Sequence, residues 1–346
     1  MKPNLILHIG TEKTGTTSLQ KLFALNRATL SSQSIYIPTL FGSIRHRRAE
    51  YAFESTSRED GFSMRNGLYR KHRKKRRFKS AIKDQWRKKV SEHNNCTWII
   101  SSEHFQSRLT SKKEIISLWS FLSELYDNIT IIAYLRDPVQ AAISSLSTAV
   151  RSGNATDLTL VPGGMYDNAC DHKSFLSLWL SVIPRHHFVV RLYDHSQFLG
   201  GDLFFDFFSA AGLDYSLLLD YPPRCNQSLS YPALRLLAEI NKILPPFIDG
   251  LPNPGRRGID FYIEEYFSHY PPLRPTRRLV SMYDKYYHNS FGFLRKHFFQ
   301  GMKGRLWKYP ELSSKYASKS LDLMPFIYEN EAAKLLVKVW KKDAIQ

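Results

Sequence analysis

The chain has 346 residues, of which 43% are hydrophobic and 14% aromatic, and its formal net charge is +18. This composition is enough to bury a large core, and no apolar run approaches the roughly 18–20 residues of a membrane-spanning helix. The first apolar stretch is shorter than the roughly 7–15 residues of a secretory signal, which predicts a cytoplasmic protein. The three cysteines are scattered and indicate neither a disulfide framework nor a metal site. The positive charge favours an anionic partner.

The first predicted element is a buried strand at residues 4–9, which ends at a glycine-bounded loop, GTEKTGTT. Gly10 and Gly15 keep the glycine spacing of a nucleotide-binding P-loop, G-x-x-x-x-G-K-[ST]. Thr16, however, occupies the position of the P-loop lysine. The lysine lies inside the loop instead, as Lys13.

A strand, a tight loop and a helix start together direct backbone N–H groups toward an anion. The loop adds the Lys13 charge and several hydroxyl donors, namely Thr14, Thr16, Thr17 and Ser18. These groups suit a phosphate or a sulfate. They suit γ-phosphoryl transfer less well, because that reaction normally uses Mg²⁺ and a lysine at the position of Thr16. A threonine-rich helix start with a solvated lysine is the alternative without a ligand.

Four further strands are predicted from short apolar runs, at 34–38, 97–101, 129–135 and 187–193. Helices are predicted between and after them, including an amphipathic helix at 114–126 and a late aromatic helix at 279–299. Because strands alternate with helices, the sequence predicts an α/β fold with a parallel sheet flanked by helices.

The domain organisation follows from where this alternation is interrupted. We expect a single domain over residues 1–346 that is P-loop-like in its first strand, loop and helix. A basic helical insertion is expected at residues 42–92. The proline-rich stretch after Tyr221 predicts a lid followed by C-terminal helices over residues 221–346.

The loop string HIGTEKTGTTSLQ resembles the 5′-phosphosulfate loop of sulfotransferases that use 3′-phosphoadenosine 5′-phosphosulfate (PAPS), most of all their bacterial carbohydrate-type branch. A second element of that family is a strand that ends in arginine, with a serine eight positions later. YLRDPVQAAISS supplies Arg136 and Ser144 at this spacing, with Ser145 as an adjacent alternative. The resemblance covers roughly residues 4–38, 97–150 and 187–240, whereas 42–92 matches poorly.

This resemblance implies roles for particular residues. Lys13 and the hydroxyl and backbone groups of residues 14–18 would hold the 5′-phosphosulfate, and Arg136 with Ser144 would hold the 3′-phosphate. The family's catalytic base follows the strand at 97–101, where Glu103 aligns best and His104 is the neighbouring candidate. A carboxylate that only caps the next loop is the alternative there.

Two further cofactor contacts are implied by the same resemblance. Tyr193 would contact adenine, or else serve as a core aromatic. The residues Arg224, Asn226 and Ser228 would close over the cofactor as a lid, or else cap the following helix. No metal is required in the reaction implied.

The predicted function is therefore transfer of a sulfuryl group from PAPS to an acceptor hydroxyl, less readily an amine, on a carbohydrate or glycolipid. Two alternatives stay open: a Mg²⁺-dependent P-loop kinase of a small molecule or sugar, and a polyanion-binding protein without catalysis. The sequence does not define the acceptor or the oligomeric state.

The basic insertion concentrates the charge of the chain. Between Arg45 and Lys89 there are 17 Lys and Arg against 5 Asp and Glu, and the densest part is RKHRKKRR at residues 70–77. The segment is interpreted as a solvated helix, as a surface for an acidic polysaccharide or anionic lipid, or as a nucleic-acid arm. The absence of zinc-finger spacing and of an aromatic RNA-binding signature argues against the last. His46 is expected to be solvated rather than to face an acceptor.

Overall fold

The computed structural model describes residues 2–218, 220–223, 228–245, 247–248, 251–253, 256 and 258–308. The chain divides into two compact units. The first comprises Met1–Asp137, Asp171–Cys225 and Asn289–Trp307, and the second comprises Pro138–Cys170, Asn226–His288 and Lys308–Gln346. The expectation of one domain with a lid from residue 221 stays a prediction.

The first unit contains a five-stranded sheet. Its strands are β1 (Asn4–His8), β2 (Ile35–Tyr36), β3 (Thr97–Ser101), β4 (Ile129–Arg136) and β5 (Phe188–Tyr193). They lie in the order β2-β3-β1-β4-β5, and every neighbouring pair is parallel. The predicted α/β class with a parallel sheet is confirmed, and the predicted strands lie within one or two residues of the observed ones, apart from the shorter β2.

The two faces of the sheet are buried in different hydrophobic clusters, because side chains alternate between the faces along a strand. On β1, Leu5 and Leu7 belong to one cluster and Ile6 to the other. On β3, Trp98 points to the first side and Ile99 to the second. Helices cover both faces, which explains why each strand reads as an almost continuous apolar run.

The helices of the first unit are α1 (Thr16–Leu25), α2 (Arg27–Ser32), α3 (Arg47–Tyr51), α4 (Gly61–Arg65), α5 (His72–Glu92), α6 (His104–Arg108), α7 (Lys112–Leu125), α10 (His172–Leu180), α11 (Leu203–Ala210) and most of α15 (His288–His297). Short 3₁₀ helices span Arg185–His187, Leu199–Gly201 and Tyr215–Leu217. The basic insertion is helical, as predicted, and α5 is its main element.

The second unit contains α8 (Pro138–Arg151), α9 (Asp167–Cys170), α12 (Tyr231–Ile243), α13 (Ile259–Tyr266), α14 (Arg277–Tyr286) and a two-stranded antiparallel sheet of β6 (Phe247–Ile248) and β7 (Leu251–Pro252). Arg151 forms an ion pair with Glu264, with 2.6 Å between Nε and Oε1. Among the helices in the described ranges, none is long and apolar enough to cross a membrane.

The single helix predicted at 279–299 is wrong, since the chain forms α14 and α15 there. Tyr287 separates them, with φ and ψ of −92° and 13°. Its ring is buried, and its hydroxyl donates a hydrogen bond of 2.5 Å to Asp167. This contact lies 120 residues away in sequence, so the helical pattern alone did not reveal the break.

The strand order defines where a ligand site is expected. The connection from β1 leads toward β2 on one side, and the connection from β4 leads toward β5 on the other. In open parallel sheets, ligands bind at such a reversal, outside the carboxyl ends of the two strands. The loop after β1 and Arg136, the last residue of β4, both lie at this point.

Candidate active site

The loop between β1 and α1 has a backbone that requires glycine at its ends. Gly10 and Gly15 have φ values of 100° and 72°, in the left-handed region that side chains disfavour. A Cβ on Gly15 would lie 2.5 Å from Cδ2 of Leu203, so there is also no space for one. The loop is tied to β4, because Tyr134 N–H donates to the Gly10 carbonyl and Thr11 N–H donates to the Tyr134 carbonyl.

The first turn of α1 supplies donors for an anion. The N–H groups of Thr16 and Thr17 lie where a helix has no acceptor of its own. By contrast, the N–H of Ser18 already donates to the Gly15 carbonyl at 2.9 Å. The Thr14 hydroxyl donates to the Thr11 carbonyl at 2.6 Å and therefore holds the loop together. An anion bound here would meet backbone N–H groups and the positive end of the helix dipole.

Arg136 points its guanidinium at the same loop. Its Nη1 donates to the Lys13 carbonyl at 2.9 Å. The side chain is half-buried, and burial lowers the pKa of Arg136, although a guanidinium stays charged at any physiological pH. Within the described ranges, no carboxylate lies within 4 Å of it. Tyr193 and Asp137 favour the charged form but offset only part of the effect of burial, so an anionic ligand would stabilise the guanidinium further.

Tyr193, the last residue of β5, lies close to both the Arg136 guanidinium and Gly15 of the loop. Its ring centroid is 5.6 Å from the guanidinium carbon of Arg136. A Cβ on Gly15 would lie 3.2 Å from its Cε2 atom. Burial raises the pKa of Tyr193, so the hydroxyl stays protonated at neutral pH. The ring thus supports the loop, and its predicted contact with adenine stays a prediction.

Glu103 lies on the other side of the loop, directly after β3. A Cβ on Gly10 would come within 3.0 Å of the Glu103 Cα, so the loop packs against its backbone. The Glu103 carboxylate accepts a hydrogen bond of 2.9 Å from Gln20 Nε2. Gln20 is buried on α1, four residues after Thr16. One helix therefore directs its first N–H groups at the loop and also orients the carboxylate.

The two candidate bases are both in forms that accept a proton at neutral pH. Burial acts to raise the pKa of Glu103, but His104, the local backbone, Gln20 and Arg45 together lower it below the ordinary value. Burial lowers the pKa of His104, and the neighbouring Glu103 offsets this only in part. The carboxylate is thus ionised and the imidazole neutral.

A buried polar chain behind Glu103 was not predicted. The Nδ1 atom of His8 lies 2.8 Å from the Ser101 hydroxyl, which Gln20 also approaches at 3.4 Å. The Ser101 N–H donates to Nδ1 of His46 at 3.1 Å. Burial lowers the pKa of His8 to about 4 and that of His46 to about 3. The expectation that His46 is solvated is wrong, because its ring is packed against β3. For Gln20, the only signal in the sequence was its position one helical turn after Thr16.

The other predicted cofactor residues belong to the second unit or fall outside the described residues. Ser144 is half-buried on α8 in the second unit, where its carbonyl accepts a hydrogen bond from Thr148 Oγ1. Ser228 is exposed in the second unit, and Ser230, rather than Ser228, caps α12 by accepting from Ala233 N–H. The other two lid residues, Arg224 and Asn226, lie outside the described residues. Roles for these residues in binding stay predictions.

In the part of the chain that the structure describes, no group of three or more His, Cys, Asp and Glu side chains is arranged to hold a metal ion.

Several lysines and arginines of the basic insertion form ion pairs within the protein. Arg47 forms ion pairs with three carboxylates, those of Glu50, Glu54 and Asp60. Lys75 is fully buried and pairs with Glu59 at 2.7 Å. Part of the charge of this segment therefore lies inside the fold, although most of α5 is exposed, and the choice among its three interpretations stays a prediction.

Comparisons with known proteins give limited similarity. No family model matches the chain. An uncharacterized protein of Archaeoglobus fulgidus is 29% identical over 148 residues, which cover 42% of this chain and 38% of that protein. The crystal structure of a sulfotransferase from Alicyclobacillus acidocaldarius is similar with 17% sequence identity and a TM-score of 0.40, over 65% of this chain and 87% of that one. None of these similarities assigns the chain to a family or to a reaction.

Proposed function

We propose that the chain is a sulfotransferase that moves a sulfuryl group from PAPS to a hydroxyl of a carbohydrate or glycolipid acceptor. The observation on which the proposal rests is the half-buried guanidinium of Arg136, which faces the loop and has no carboxylate within 4 Å among the described residues. The N–H groups in the first turn of α1, which have no acceptor within the helix, would form a second anion site beside it. Two neighbouring anion sites suit a nucleotide that carries phosphates at both its 5′ and 3′ positions.

The proposed binding roles follow from these positions. The N–H groups of Thr16 and Thr17, their hydroxyls and Lys13 hold the 5′-phosphosulfate. Arg136 holds the 3′-phosphate together with Ser144, and Tyr193 supports the adenine side. The lid residues Arg224, Asn226 and Ser228 complete the cofactor site in this proposal.

The proposed chemistry needs alignment and electrostatic stabilisation more than covalent help. The acceptor oxygen forms a bond to sulfur while the bond from sulfur to the 5′-phosphate oxygen breaks. The electron pair of that bond stays on the phosphate oxygen, where Lys13 stabilises it. The acceptor proton passes to Glu103, which is ionised and held by Gln20. His104, one residue further, is the alternative base.

Nucleotide binding provides the first test. The product 3′-phosphoadenosine 5′-phosphate should raise the melting temperature in the presence of EDTA, because a ligand that binds only the folded state stabilises it. ADP, which lacks the 3′-phosphate, should have a much smaller effect. Equal effects of the two nucleotides, or a strict need for Mg²⁺, would favour a kinase instead.

Transfer itself provides the second test. ³⁵S should pass from labelled PAPS to at least one member of a panel of neutral and acidic glycans, without added metal. A protein that binds glycans but transfers no label to any of them, and binds no nucleotide, would instead be a polyanion-binding protein. A cytoplasmic location is part of the proposal, and fractionation of cells that produce the protein would test it.

A further inference from the structure

We propose that a basic cleft at the start of α5 binds a polyanionic glycan, so that the acceptor is an acidic polysaccharide. The acceptor role rests on the proposed sulfotransfer, whereas glycan binding does not. The cleft is an open concavity of about 660 Å³ in the first unit. It is lined by Lys71, His72, Arg73, Lys74 and Arg77.

The charges of the basic insertion differ in whether a carboxylate pairs with them. Outside the cleft, four of them form ion pairs: Lys75 with Glu59, Arg87 with Glu124, Lys89 with Glu92, and Arg47 with three carboxylates. The four lysines and arginines of the cleft are exposed. In the described part of the chain, no carboxylate lies within 4 Å of any of them. Other cations of the insertion, such as Arg48, Arg76 and Lys88, are also exposed and form no ion pair among the described residues, but the four cleft cations lie close together in sequence and share one concavity.

This concentration is unfavourable in the free protein. Arg73 and Arg77 are four residues apart on α5, where like charges repel each other across one helical turn. The first turn of α5 contains no acidic residue, although the positive end of a helix dipole favours one. An anion with several charges would relieve both effects at once. A single small ion would contact only part of the cleft.

The chemistry of the lining favours a glycan over other polyanions. A helix that anchors in the membrane interface inserts apolar or aromatic side chains between the lipids, and none of the five lining residues is apolar. Charge alone can still attract anionic lipid, and the vesicle arm of the test below distinguishes that case. Proteins that bind single-stranded nucleic acid stack bases on aromatic side chains, and the lining contains no Phe, Tyr or Trp. Sulfate and carboxylate groups spaced along a sugar chain need only the charges that are present.

The test is direct binding of a fluorescent heparin hexasaccharide to the full chain. In the cleft variant, Lys71, Arg73, Lys74 and Arg77 are all changed to Gln. Lys75 is left unchanged because it is buried and paired. The control variant changes four exposed lysines of the same unit to Gln, which removes the same charge: Lys88, Lys113, Lys173 and Lys296.

We expect the cleft variant to bind the hexasaccharide at least about tenfold more weakly, because four exposed ion pairs of modest strength are lost together. The dependence of its affinity on salt should flatten, since screening acts on those charges. The control variant should bind almost as well as the wild type. The melting temperature of the cleft variant should stay the same or rise, because repulsion is removed.

Equal weakening of hexasaccharide binding in both variants would show that only the net charge of the protein matters. Unchanged hexasaccharide binding in the cleft variant would show that the cleft residues are only a solvated face. Either result overturns the inference. Cleft-dependent binding of phosphatidylserine vesicles or of a single-stranded oligonucleotide that is tighter than binding of the hexasaccharide would also overturn it.

If glycan binding behaves as expected while no nucleotide binds and no ³⁵S is transferred, the proposed sulfotransfer fails and the glycan site stands. If transfer occurs but the acceptor KM is unchanged in the cleft variant, sulfotransfer stands and the acceptor assignment fails.

Discussion

Replacing Arg136 by alanine should separate ligand binding from folding. In the free protein this guanidinium is half-buried, donates to the Lys13 carbonyl at 2.9 Å, and has no carboxylate within 4 Å in the described ranges. Its removal therefore eliminates a half-buried charge that is only partly compensated, together with one hydrogen bond to a backbone carbonyl. We expect the melting temperature of the ligand-free protein to change little, because the two effects oppose each other.

The effect on the nucleotide should be much larger. A hydrogen bond to a charged group typically contributes about 1.5–3 kcal/mol. Loss of the contact to the 3′-phosphate should then weaken binding of 3′-phosphoadenosine 5′-phosphate by roughly 10- to 150-fold. ADP has no 3′-phosphate, so its affinity should be almost the same for Arg136→Ala and wild type. Isothermal titration calorimetry with both nucleotides measures this difference.

Arg191→Ala is a matched control on the same sheet. Arg191 pairs with the buried carboxylate of Asp206, which also accepts a hydrogen bond from Tyr134. Its loss leaves a buried charge with fewer partners, so it should lower the melting temperature and leave nucleotide affinity nearly unchanged. If Arg136→Ala behaves like this control, or binds the 3′-phosphorylated nucleotide normally, the assigned role of Arg136 is wrong.

Three further predictions concern the loop and the base. Glu103→Gln should reduce turnover by about 10²–10⁴ while nucleotide affinity stays nearly constant; if this variant is active and His104→Ala is inactive in ³⁵S transfer, the base is His104. Gln20→Leu removes a hydrogen bond that lowers the pKa of Glu103, so the pKa of Glu103 should rise. A general base works when it is ionised, and the loss of kcat on lowering the pH should therefore begin at a higher pH in this variant. An unshifted pH profile of kcat would mean that Gln20 only fills space. Gly15→Ala should cost about 1–3 kcal/mol of unfolding free energy, because it combines a positive φ with overpacking. Leu203→Ala removes a buried side chain and should also destabilise the protein, but in chemical denaturation the losses of the double variant should be less than additive, because Leu203 is the group that the new Cβ meets. Full stability of Gly15→Ala, or strictly additive losses, would contradict the packing argument.

The sequence alone determined the parts of this protein that depend on near neighbours. Each strand of the sheet is a short apolar run, and the run at 97–101 corresponds to β3 residue for residue. The glycine spacing defined the loop, because Gly15 has a backbone conformation that other residues disfavour. Arg136 was also found locally, as the charged residue that ends an apolar strand.

Which polar groups meet in the folded protein depended on how the strands and helices pack. This packing buried His46, which lies in a basic stretch, and it separated paired from unpaired charges within one helix, α5. It also brought Gln20 to Glu103, although 83 residues separate them in the chain. Periodicity and propensity depend on residues within one or two turns. Hydrogen bonds and pKa values of buried side chains instead depend on groups that meet only when strands and helices pack, and for that reason the sequence pattern did not contain them.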